Sequence, residues 1–159
     1  MIRYQWRGFN RKGNLMKSTA FILSLITCAA LPAYALDRQD AGDYVLLNQQ
    51  ERPTPSKMRF TLQENGQWVM DGKQGDGAWQ PVCRGTGTCR LVAANANEVA
   101  QWKAVLPQHW QAHHFSCIRN VAFAFCRATD KDNANRRAYW WFALINNPIH
   151  ALPVKRIVY

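Results

Sequence analysis

The sequence of 159 residues predicts one small α+β domain, an antiparallel sheet of five to seven strands carrying one principal helix at 95–106 and tied by two disulfides. Three observations point there. Segments that alternate polar and apolar residues are separated by glycine-rich turns, the period changes to that of a helix only once, and four cysteines follow a leader-like N-terminus.

The clearest hairpin begins at Lys57. Lys57 to Gln63 alternates, Asn65-Gly66 supplies a tight turn, and Gln67 to Met70 returns. Asp71 to Gly77 holds Gly72, Gly75 and Gly77 and reads as a second turn before a strand at Trp79 to Cys83. Asp71 and Asp76 suggest calcium, but their spacing fits no EF-hand loop. Further on, Cys117 to Ala128 and Ala138 to Ile145 flank a polar loop, Thr129 to Arg137, and read as an antiparallel pair.

Around Asn95 the period becomes helical. Asn95 with Glu98 three residues later has the form of a capping box, Val99, Trp102 and Leu106 then share a face, and Pro107 ends the helix. A capped amphipathic helix in mid-chain argues against an outer-membrane barrel.

The N-terminal segment sets the expected compartment. From Met16 the chain reads MKSTAFILSLITCAALPAYA: a lysine, an apolar run and the small-residue triplet Ala33-Tyr34-Ala35. That is the pattern of a secretory signal peptide within 1–35, cleaved after Ala35; residues 1–15 read either as a long basic n-region or, as we favour, as lying upstream of a start at Met16. Ser24, Thr27 and Pro32 interrupt the run before it reaches membrane-spanning length, so no transmembrane anchor is expected. Cys28 raises a lipoprotein reading, but Thr27 suits that cleavage poorly and Ala33-Tyr34-Ala35 offers the better cut. The expected mature chain, 36–159, is one exported domain, periplasmic or secreted. Loss of the leader's five basic residues leaves 15 basic against 10 acidic residues, a net charge of +5 rather than +10. Such a charge fits an anionic envelope component or an acidic envelope protein better than nucleic acid.

In an oxidising compartment an even number of cysteines implies disulfides. Cys83, Cys89, Cys117 and Cys126 allow three pairings; the local one, Cys83 with Cys89 and Cys117 with Cys126, has the simplest geometry. The stretch CRGTGTC at 83–89 lacks the two-residue spacing of a redox pair and the repeated short spacing of a zinc site. A covalent clip remains, its loop turned by Gly85 and Gly87. Such a ring either staples a hairpin or presents Arg84, Thr86 and Thr88 to a partner as a preorganised plug.

Other chemistry is sparse. Trp140 and Trp141 point to opposite faces of their strand, which makes both faces aromatic: a strand covered on both sides, or a platform for sugar rings or a protein partner. His109, His113 and His114 cluster in PQHWQAHHF, and if that segment is helical His109 and His113 lie four apart on one face, the spacing that can hold a metal. Neither serine of the mature chain lies in a Gly-x-Ser-x-Gly elbow, the cysteines are consumed in pairs, and no paired-carboxylate pattern or cofactor motif appears. The sequence therefore predicts an exported, disulfide-stabilised binding module of inhibitor or immunity type, acting on another envelope macromolecule. The alternative is an envelope enzyme or metal-binding protein centred on His109, His113 and His114.

Overall fold

A computed structural model describes residues 35–159. All but the last residue of the expected leader, with its start at Met16, lies outside the described residues.

The strands are β1 (Gly42–Leu47), β2 (Pro53–Leu62), β3 (Trp68–Gln74), β4 (Gln80–Cys83), β5 (Val92–Ala93), β6 (His114–Arg119), β7 (Phe123–Thr129), β8 (Arg137–Ala143) and β9 (His150–Arg156). They form one antiparallel sheet in the order β4-β3-β2-β1-β9-β8-β7-β6-β5. This overturns the expected five to seven strands with a principal helix at 95–106. The fold is mostly sheet, and the one substantial helix among the described residues, α1 (Ala96–Lys103), is a two-turn cover.

The missed strands have physical reasons. In β1 Asp43, Tyr44 and Val45 are all buried, so no alternation marks it. β9 contains Pro153, a residue that argues against a central strand because it donates no ladder hydrogen bond. The segment read as one strand, 117–128, is two: β6 and β7 are joined by a turn in which Asn120 Oδ1 accepts from the N–H groups of Ala122 and Phe123 at 2.8 and 2.9 Å. The Asn65-Gly66 hairpin forms as read, pairing Leu62 with Trp68, and Gly66 has φ of 79°.

The sheet curls into a half-barrel. Tyr44 on β1 meets Phe125 on β7 with ring centroids 4.8 Å apart, although β9 and β8 lie between them and three strand spacings would separate flat neighbours by about 14 Å. An isolated antiparallel bridge between Trp68 at the start of β3 and Leu91 beside β5 draws the two ends of the sheet together. The inner face buries Tyr44, Met58, Phe60, Trp68, Met70, Ile118 and Phe125.

The outer face of β6, β7 and β8 is covered as well. Val99, Trp102 and Leu106 of the helical segment pack on Phe115, Ala124 and Phe142. Asn95 caps α1 as expected: its side chain accepts from Glu98 N at 3.0 Å and its own N–H donates to Glu98 Oε2 at 2.9 Å. The regular helix stops at Lys103 because Val105 and Leu106 switch to i−3 bonds, 3.3 and 3.0 Å, before Pro107 starts the single turn α2 (Gln108–Gln111).

A 3-10 turn at Arg38–Asp40 plugs one end of the half-barrel. Asp40, fully buried, accepts from Arg127 Nη1 at 2.7 Å, Tyr139 OH at 3.0 Å and Asp37 N at 2.9 Å. Tyr44 OH donates to Asp40 O at 2.6 Å, and burial pushes the Tyr44 phenol pKa up. Among the described residues no helix is long and apolar enough to cross a membrane.

Candidate functional site

The two disulfides join Cys83 to Cys89 and Cys117 to Cys126, with Cα–Cα distances of 5.2 and 4.1 Å. The second is a cross-strand staple between directly paired residues of β6 and β7, buried beneath the helical cover. The first closes a surface ring at the end of β4, and this ring is the candidate site.

Local sequence explains its shape. Gly85 and Gly87 adopt φ of 78° and 58°, the left-handed region in which a side chain would be strained. The Gln67 side chain donates to Gly85 O from the neighbouring hairpin, and a Cβ on Gly85 would collide with that same side chain. Arg84 Nη2 lies 2.8 Å from Asp71 Oδ1 on β3, and Cys89 N donates to Thr86 O at 3.2 Å within the ring. Besides the covalent clip, side chains from β3 and from the β2–β3 turn therefore hold the ring against the sheet.

Arg84, Thr86 and Thr88 are all exposed on this fixed ring. Arg84 keeps 55 % of its side chain accessible while paired with Asp71, so the guanidinium is oriented and its remaining donors face solvent. Gly85, Thr86 and Gly87 form one wall of a cleft of about 920 Å³; Trp68 and Leu91 lie on its floor, and Gln67 and Arg90 on its rim. The cleft sits over the seam made by the Trp68–Leu91 bridge. An apolar floor, a polar rim and a projecting rigid ring are the features of a recognition surface.

The other residues singled out from sequence lie apart from this ring. Trp140 is 8 % exposed on the outer face of β8, with Trp110 edge-on to it at 5.4 Å. Trp141 faces inward, half-buried and stacked on Phe123 at 4.1 Å, beside Met58 and Met70 at a second cleft. His109 and His113 do not share a continuous helical face, because α2 ends at Gln111; their rings instead flank Trp110, at centroid distances of 5.6 and 4.8 Å. His114 is exposed at the start of β6. Among the described residues no group of three or more His, Cys, Asp or Glu side chains is placed to hold a metal ion.

The Asp40–Arg127 network escaped the sequence reading. Its signal was Asp37 followed three residues later by Asp40, which forms a capping box around the 3-10 turn. The pair of buried Asp43 with Arg59 escaped it too: Arg59 grips both carboxylate oxygens at 2.7 and 2.8 Å, and Tyr159 OH donates to Oδ2 at 2.7 Å. That grip by Arg59 holds the Asp43 pKa below the usual carboxylate value, against the opposing effect of burial.

No family model matches the chain, and neither a curated protein nor a solved structure is similar to it at a significant level.

Proposed function

We propose that the protein is a small exported binding module, periplasmic or secreted, whose Cys83–Cys89 ring recognises another envelope macromolecule in the manner of an inhibitor or immunity protein. One observation carries this reading: three exposed polar side chains, Arg84, Thr86 and Thr88, are presented on a loop fixed by a disulfide, an ion pair and a side-chain hydrogen bond. A loop that exists only to connect strands needs no such fixation, whereas a binding loop gains affinity from it, because less freedom is lost on association. Two local disulfides suit an oxidising compartment, and the leader-like segment ending at Ala35 supplies a route to it.

Capture experiments test the reading. The full chain is expressed with its own leader, purified from the envelope fraction and immobilised against envelope extract. Wild type should retain a saturable partner, and Arg84→Ala with Thr86→Ala should release it while leaving the melting temperature within a degree or two, as expected for about 0.5 kcal/mol at exposed sites. Undiminished capture by that variant would remove the ring from the interface.

A further inference from the structure

Away from the ring, Trp110 in α2 stands between two adjoining clefts of about 400 and 330 Å³. Trp110, Arg137 and Ala138 form their common wall, and no residue of the ring cleft lines either one. Each cleft is lined by a residue with a buried polar atom that has no hydrogen-bond partner among the described residues, His113 with its Nδ1 at the larger and Trp140 with its Nε1 at the smaller. An N–H taken out of water without an acceptor is costly, and Trp140 is more than nine-tenths buried. An oxygen that reaches it by way of the smaller cleft, with a small shift of the lining, would satisfy it.

Charge and shape narrow what would enter. Arg136, Arg137, Lys155 and Arg156, the last held by the carbonyls of Gln39 and Ala41, stand at the two clefts against Asp130 and Glu51. Arg137 is engaged with Gln39 Oε1, and Arg136 lies 3.9 Å from Asp130, but Lys155 is exposed and makes no ion pair among the described residues. The half-buried Trp110 ring is tilted 45° to His113 and 76° to Trp140, so the three rings leave no parallel slot for a planar base. Those angles suit a puckered ring that offers C–H groups to an indole face and hydroxyls to donors at its edge. Each volume is at the lower end of small-ligand sites, so the pair matches two linked units better than one large one.

We propose that the paired clefts around Trp110 and Trp140 bind an acidic oligosaccharide. One sugar ring lies on Trp110, a hydroxyl or N-acetyl oxygen accepts from Trp140 Nε1, His113 meets the neighbouring unit, and the carboxylate faces Lys155 and Arg136. This site is independent of the ring and stands whether or not the ring binds a protein.

The test uses tryptophan fluorescence and calorimetry on the purified full-length exported product. The acidic probes are a hyaluronan tetrasaccharide and the N-acetylglucosamine–N-acetylmuramic acid disaccharide; chitotetraose is the neutral control, and AMP the planar anionic one. At least one acidic sugar should bind saturably, about tenfold more tightly than chitotetraose. Trp110→Ala should weaken it by about tenfold or more, and Trp140→Phe, which keeps the buried ring and removes the N–H, by about fivefold. Lys155→Ala, at an exposed position that leaves the fold intact, should narrow the preference for acidic over neutral sugar. The proposal is overturned by lack of saturable binding of both acidic probes up to about 10 mM, by chitotetraose or AMP binding as tightly as the acidic sugars, or by unchanged affinity in Trp110→Ala and Lys155→Ala.

Discussion

Phe60 on β2 and Phe125 on β7 stack nearly parallel, with ring centroids 4.2 Å apart and planes 13° from each other, across three intervening strands. Flat, the sheet would hold these strands about 19 Å apart. The stack therefore records the curl of the half-barrel, and Tyr44 and Tyr139 complete the aromatic cluster around Phe125, at centroid distances of 4.8 and 5.6 Å.

If the curl rests on that cluster, Phe125→Ala should cost about 3–5 kcal/mol, because both rings are essentially inaccessible and the cavity lies at the centre of the inner face. Urea unfolding of Phe60→Ala, Phe125→Ala and the double variant checks it. A coupling of about 0.5–1.5 kcal/mol between the two is expected; strict additivity would mean that the rings do not touch.

The plug at the barrel end makes a separate prediction. Arg127→Met leaves the fully buried Asp40 carboxylate without its cation and should cost about 3–5 kcal/mol, whereas Asp40→Asn combined with Arg127→Met should recover much of that loss. Thermal melts of wild type and the two variants decide the matter. Equal stability of the single and double variants would show that Asp40 gains nothing from the guanidinium.

Asp43 sets an expected acid limb. Its folded pKa is held below the ordinary value of 3.8, chiefly by the Arg59 guanidinium. The stabilisation is thus fully present above the unfolded-state pKa and disappears as pH falls through the lower folded one, a window below about pH 4. Melting temperature followed from pH 6 to pH 2 should drop less steeply in Asp43→Asn than in wild type. Parallel acid limbs would show that the Arg59 contact is not maintained in solution.

Local features of this chain were legible in its sequence, and long-range ones were not. Asn95 with Glu98 names its own cap, Asn65-Gly66 its own turn, and Gly85 with Gly87 the left-handed positions of the ring, because each depends on atoms a few residues apart. The 117–128 segment misled because its apolar run continues through the turn at Asn120. Yet the pairing of Cys117 with Cys126 already required that turn, since nine extended residues span about 30 Å. The nine-stranded curl, the buried Asp40 and the facing of Trp140 toward the helical cover depend on partners 14 to nearly 100 residues away, which no periodicity encodes. At the candidate site, the exposed trio on the ring was legible from the clip itself; the cleft beside it was not, because Trp68 and Leu91 meet only when the sheet ends converge.

Hydrogen–deuterium exchange of the purified protein, alone and with the partner captured from envelope extract, tests the central claim that the ring is a preorganised recognition element. The account predicts slow exchange of the ring amides even in the free protein, and further protection on binding confined to 83–90 and to the adjoining turn at 65–67. Fast exchange of the free ring, or protection that appears only on other surfaces while the ring is unchanged, would contradict it.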